Sequence, residues 1–134
     1  MHSIEHINYI KAPVSVLYRT LTTEDGLAQI WTKKLNVKPE TGYINEFDFD
    51  EGYITRMKII KLHENNKITW ECIASDQEWI GTRISFELTE IDGRTTILLK
   101  HSNWRELTDF YRWCNYNWAM FLYRLKTYCE NQPK

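Results

Sequence analysis

Hydrophobic and polar positions alternate along this chain with two different periods, and the switch points divide it into elements. Residues 2 to 11 read as a strand, with Ile4, His6, Asn8 and Ile10 on one face. The alternation is imperfect, because Ile7 and Tyr9 fall on the other face. Ala12-Pro13 interrupts it. Pro13 fits a first helical position, and Val14, Val16, Leu17 and Leu21 follow at helical spacing. A second helix is predicted to start at Thr22 or Thr23, where Glu24-Asp25 suits the positive end of the helix dipole. It carries Leu27, Ile30 and Trp31 inward.

From about residue 35 the period becomes two. Phe47 and Phe49 alternate with Asp48 and Asp50, and Glu51-Gly52 reads as a turn. Residues 53 to 63 form a long strand with a bulge predicted at Ile59-Ile60, where the alternation slips. After a turn at Glu64-Asn65-Asn66-Lys67, Ile68, Trp70 and Cys72 share one face. Residues 79 to 90 place Ile84, Phe86 and Leu88 opposite Arg83, Ser85 and Glu87. Asp92-Gly93 signals a hairpin, and residues 94 to 103 return with Ile97, Leu99 and His101 on one face. The helical period then comes back: Cys114, Trp118, Phe121, Leu122, Leu125 and Cys129 make an apolar stripe across residues 108 to 130.

The predicted order is one strand, two short helices, about six strands and one long helix. Strands bracketed by helices indicate an α+β fold with an antiparallel sheet. Only the long terminal helix is large enough to cover the sheet's apolar face. At 134 residues the chain fits a single domain spanning 1–134, and a chain of this size folds on its own core without metal or disulfide.

The order matches that of a helix-grip, START-like domain, in which a curved sheet wraps a C-terminal helix. Local residues sharpen the match. Thr82 to Leu88, Asp92-Gly93 and the run Thr95 to Trp104 resemble the family of homologues of the heat-shock-protein-90 ATPase activator. So do Asn117-Trp118 through Leu122, Leu125 and Tyr128 near the end, and Ile10 to Pro13, Val16, Tyr18, Leu21, Thr22, Gly26 to Ala28 and Trp31 near the start. The resemblance covers nearly the whole chain. Two positions depart from it: Ile30 stands where the family usually has a second ring, and Asn103 where it often has glycine. The resemblance implies an internal cavity, which members of the wider superfamily use for lipids, hormones or polyketides. It implies no particular reaction.

Composition strengthens the cavity expectation. Aromatic residues make up 14% of the chain and include six Trp, more than packing alone demands of most domains. By alternation Phe47, Trp70 and Phe86 point to the concave face, met by Trp31, Trp118 and Phe121 from the helices, with Phe49 and Met57 as further candidates. With Trp79, His101, Trp104, Trp113 and Asn117 they form the candidate ligand-binding set. These rings serve equally well as cavity wall or as ordinary core. His101 is in register with inward residues. It is a ligand donor, a general base, or a core histidine satisfied by a backbone carbonyl or by Asn117. The stretch Trp104 to Trp113 joins the last strand to the last helix. It reads either as a lid with polar anchors or as a helix start capped by Thr108.

Charge and cysteines narrow the alternatives. With 17 basic and 18 acidic residues the net charge is -1, which argues against nucleic acid as a partner. Cys72, Cys114 and Cys129 are odd in number and widely spaced, and His2, His6 and His63 are scattered, so no metal or other cofactor is expected. Free cysteines, no leader-like start and no long apolar run point to a cytoplasmic protein without a membrane span. Three functions stay open: binding a small hydrophobic or amphipathic molecule; a co-chaperone-like partnership with another protein or a second copy; and cyclase or hydratase chemistry using His101 with Tyr111 or Asp109.

Overall fold

The structure, a computed structural model, describes residues 1–133. The elements follow the expected order: β1 (His2–Ile10), α1 (Val14–Thr22), α2 (Glu24–Ile30), β2 (Lys34–Asn36), β3 (Ile44–Asp48), β4 (Ile54–His63), β5 (Lys67–Ala74), β6 (Arg83–Ile91), β7 (Arg94–Trp104) and α3 (Asp109–Glu130). The strands make one seven-stranded sheet in the order β1-β7-β6-β5-β4-β3-β2, antiparallel throughout. This is the helix-grip arrangement, with α3 lying in the concave face. The bulge falls where the alternation slips, between Ile59 and Lys61. The β6–β7 turn places Asp92 and Gly93 at φ 52° and 77°, the left-handed pair that a two-residue hairpin needs.

Two boundaries differ from expectation. Pro13 stands at the N-cap of α1 rather than inside it, in extended backbone. More consequentially, Trp79 is not in a strand: β6 begins only at Arg83. Residues 75–82 fold into a compact loop instead. The Asp76 carboxylate accepts the Glu78 amide at 2.9 Å, and Trp79 carbonyl accepts the Thr82 amide at 2.9 Å. Gly81, at φ 87°, then turns the chain back into the sheet.

The inner sheet face and the apolar stripe of α3 form one core. Ile4, Ile10, Phe47, Met57, Ile59, Ile68, Trp70, Ile84, Phe86, Leu88, Ile97 and Leu99 meet Trp118, Phe121, Leu122 and Leu125 there. The short helices close one end with Leu17, Leu21, Leu27 and Ile30. Side chains of α3 also cover the open edge of β1. Tyr111 Oη donates to the Ser3 carbonyl at 2.8 Å and Lys126 Nζ to the Tyr9 carbonyl at 2.6 Å. The polar residues on the inner face of β1 complete that seam: His6 meets the Asn115 side chain at 2.8 Å, and Asn8 Nδ2 donates to the Leu122 carbonyl at 3.4 Å. An edge that would otherwise invite another strand is thereby occupied.

Candidate functional site

Most of the space between sheet and helix is filled by rings. Trp31, at the C-cap of α2, is their hub, with centroids 4.6 Å from Phe47, 5.0 Å from Phe49, 5.6 Å from Trp118 and 5.4 Å from Phe121. It also lies nearly parallel to Trp70 at 6.1 Å. Phe86 closes the far side against Trp70 and Phe121.

One open groove of about 290 Å³ remains beside this cluster. One wall is α3, which contributes Phe110, Trp113, Cys114, Asn117, Trp118 and Arg124. Phe49, Glu51, Tyr53 and Thr55 come from the β3–β4 connection and the start of β4, Ser75 and Trp79 from the β5–β6 loop, and Trp31 forms the floor. Six of the candidate residues therefore meet at the groove: Trp31, Phe49, Trp79, Trp113, Asn117 and Trp118. The other seven do not line it. Phe47, Met57, Trp70, Phe86 and Phe121 are buried in the ring cluster or the sheet, and His101 and Trp104 are buried behind Trp79 and Trp118.

Periodicity carried to the strand ends finds some of the residues the candidate set lacks. Tyr53 and Thr55 share the parity of inward Met57, and Arg124 lies three residues beyond Phe121 on the helix. Nothing local marks Glu51 or Ser75 as groove residues. Their place depends on how the two loops fold over α3.

Trp79 sets the groove's shape, and several contacts hold its loop. Its ring is parallel to Trp118 at 6.0 Å and edge-on to His101 at 4.9 Å. Its indole N–H donates to Cys114 Sγ at 3.3 Å. Arg105 clamps the loop from outside, donating to the carbonyls of Ile80 at 2.9 Å and Gln77 at 2.7 Å. Thr108 ties the same loop to α3: it caps the helix by accepting from Tyr111 N at 3.1 Å, while its hydroxyl donates to Glu78. The junction thus combines a helix cap with a brace for the groove wall. Arg105→Ala is expected to raise amide exchange across residues 76–82 by about tenfold while leaving β6 and β7 protected, because it removes two charge-assisted hydrogen bonds from an opening-prone loop. Unchanged exchange in that loop would refute the brace.

His101 belongs to a closed polar chain rather than to the groove. Trp118 Nε1–H donates to His101 Nδ1 at 2.9 Å. That leaves the proton on Nε2, which faces Thr82 Oγ1 at 2.8 Å. Thr82 in turn donates to the Trp79 carbonyl at 2.6 Å. The partners are Thr82 and Trp118, not Asn117, whose amide donates to the Trp113 carbonyl at 3.0 Å. Burial holds the imidazole down to about 3, so it is neutral near pH 7. The remaining parts of the proposed acid–base set do not join it: Tyr111 is bonded to Ser3, and Asp109 is exposed beside Arg112.

The cysteines are equally quiet. Burial, above all, pushes the Cys72 and Cys114 thiols up to about 12 and Cys129 up to about 11. Among the described residues no group of three or more His, Cys, Asp or Glu side chains could hold a metal ion. Nor is any helix there long and apolar enough to cross a membrane. The site can enclose a flat molecule against rings and offer polar contacts at its rim. It presents no activated nucleophile or paired acid and base.

Comparison with known proteins places this geometry. No curated protein matches the chain in sequence. A dimer of Aha1 from Colwellia psychrerythraea, solved in solution, is 38% identical, with 98% of each chain covered and a TM-score of 0.89. MLL2253 from Mesorhizobium loti is 18% identical over 99% of this chain and all of its own, with a TM-score of 0.86. BH1534 from Bacillus halodurans is 18% identical over 97% of this chain and 98% of its own, with a TM-score of 0.80. These last two share the fold. The family model for activator of Hsp90 ATPase homolog 1-like proteins matches residues 11–130. With nearly all of its elements inside that match and a 38% identical relative along its whole length, this chain belongs to the activator of Hsp90 ATPase homolog 1-like family.

Proposed function

We propose that this protein, acting as one cytoplasmic domain, binds a small apolar or amphipathic molecule with a flat ring in the groove between α3 and the β5–β6 loop. The observation that carries this reading is the groove itself: about 290 Å³ walled by Trp31, Phe49, Trp79, Trp113 and Trp118 in a protein whose core is otherwise filled. At about 30 Å³ per water-sized unit, it admits about ten heavy atoms, with any tail left in the mouth. Ring walls with a few rim polar groups are the usual make-up of a small-molecule site. The buried cysteines remain free, which suits a reducing cytosol.

Native mass spectrometry of the freshly purified protein tests the reading. A bound species of small-molecule mass, released on denaturation, is expected. Trp79→Ala removes one wall and is expected to weaken its retention by about tenfold or more, from the lost ring contact and desolvated area. Wild-type protein that carries no adduct and takes up no flat apolar compound would overturn the proposal.

A second reading, association with another copy, has its own support. Trp113, at the groove's edge, and Tyr116 stack along α3 at 5.9 Å while 60% and 58% exposed, and the 38% identical relative is a dimer. Exposed aromatic pairs of this kind are typical interface anchors. Tyr116→Lys, outside the groove lining, is expected to convert a dimer to a monomer in sedimentation equilibrium. A wild-type protein that sediments as a monomer rules this reading out.

A further inference from the structure

The groove carries charge as well as rings, and its negative charge gathers at one end. Glu51 lines it, while Asp76 and Glu78 stand on the loop between the lining residues Ser75 and Trp79. Each of these carboxylates is engaged by neutral donors only. Tyr53 Oη donates to Glu51 at 2.7 Å, the Glu78 amide donates to Asp76 at 2.9 Å, and the Thr108 hydroxyl donates to Glu78. Among the described residues none of the three forms an ion pair, whereas Glu46, Glu71 and Glu87 on the outer sheet face pair with Arg56, Arg83 and Lys67. A carboxylate has about four acceptor positions, so most of their capacity is unused.

Their field reaches the groove wall. At Cys114 burial is the main cause of the raised pKa, and the charges of Asp76, Glu78 and Glu51 add to it. At Tyr53 burial again leads, followed by the hydrogen bond to Glu51 and the charges of Glu51 and Asp76. One cation, Arg124, also lines the groove. It stands ten residues beyond Cys114, about 15 Å along α3, with its Nε committed to the Ile30 carbonyl at 2.8 Å. It contributes to neither of those two shifts. The faces of the wall rings are electron-rich as well. Rings and carboxylates therefore agree in sign: both attract a cation, and both disfavour an anion.

We propose that the groove selects cationic amphiphiles, a protonated amine on a flat apolar body, with the body against Trp31, Trp79 and Trp118 and the ammonium toward Glu51, Asp76 and Glu78. The inference rests on the groove being a binding site, and it adds the ligand's charge class. Neither Arg124 nor the overall charge of -1 produces such a preference, so it is a property of the groove rim.

Three probes of matched shape test it: naphthylmethylamine, naphthylmethanol and naphthoate, titrated at neutral pH and low salt while the indole N–H signals of Trp79 and Trp118 are followed by NMR. The amine is expected to bind about tenfold more tightly than the alcohol, with the carboxylate weakest, and added salt should narrow the gap. The double substitution Glu51→Gln and Asp76→Asn should narrow the gap, weakening the amine several-fold more than the alcohol. Equal affinities of amine and alcohol in the wild-type protein, or tighter binding of the carboxylate, would overturn the charge preference and leave the groove reading standing. Absence of any perturbation by all three probes would overturn both. The wild-type comparison decides the matter even if the double variant folds poorly.

Discussion

Replacing Gly26 with alanine is expected to destabilise this protein by at least about 3 kcal/mol, the upper end of overpacking effects. A Cβ built on Gly26 would lie 2.2 Å from the Thr20 carbonyl oxygen, 2.4 Å from its Cα and 2.6 Å from its carbonyl carbon. All three are backbone atoms of α1, so no rotamer change relieves the clash. The two helices must separate, and the buried set of Leu17, Leu21, Leu27 and Ile30 must separate with them. The glycine is there because Thr23 ends one helix and caps the next with no loop between, bringing the backbones together. The damage should extend to the groove, since Trp31 is the residue that closes α2. Urea denaturation of Gly26→Ala against wild type measures the effect. A midpoint change equivalent to less than about 0.5 kcal/mol would show that α1 and α2 are not locked in this contact.

Acidification should weaken the fold well before the carboxylates titrate, and His101 is the cause. Burial lowers its pKa from 6.5 to about 3 in the folded protein. The unfolded chain therefore takes up a proton as pH falls through 6.5, while the folded chain stays neutral until about pH 3. A folded pKa below the unfolded one means the stabilisation is complete above pH 6.5 and is lost progressively between 6.5 and 3. The slope approaches 1.4 kcal/mol per pH unit, or about 2 kcal/mol by pH 5. The structural reason is the one-way hydrogen-bond chain. Nδ1 must accept from Trp118, so imidazolium would set two N–H groups against each other in a site where Trp79, Trp104 and Trp118 surround the ring. Glu130, whose carboxyl is held below its usual range by the Lys11 amide and Lys126, loses its solvent-screened contribution only below about pH 4.5. His101→Gln can still accept from Trp118 and donate to Thr82 but cannot titrate. Its stability is expected to be flat between about pH 6.5 and 5, where the wild-type protein falls. Parallel slopes for the two proteins would remove His101 as the source.

A neighbouring feature shows where this polar chain stops. Trp104 Nε1 is buried and has no hydrogen-bond partner, though its ring packs at 4.8 Å from His101 and edge-on to Tyr111 at 5.1 Å. Ring packing rather than polar pairing holds Trp104 in place.

Which residues face inward was legible from the chain alone. The period-two runs placed Phe47, Ile68, Trp70, Ile84, Phe86, Ile97, Leu99 and His101 on the concave face, and the helical stripe placed Cys114, Trp118, Phe121, Leu122 and Leu125 opposite them. The bulge at Ile59-Ile60 and the Asp92-Gly93 turn were legible for the same reason: burial and turn geometry act on neighbouring residues and leave a local pattern. What the inward rings do with the space was not local. Trp31 touches residues from β3, β5 and α3, and its placement fills the middle of the concave face and leaves a groove at one side. Trp79, which the apparent strand start at residue 79 assigned to the sheet, leaves it because Asp76, Gly81 and the distant Arg105 fold its loop over α3. The partners of His101 depend on contacts 17 and 19 residues away along the chain. Periodicity reports which side of an element is buried. Only the packing of elements far apart in sequence decides whether that burial is solid, hollow or polar.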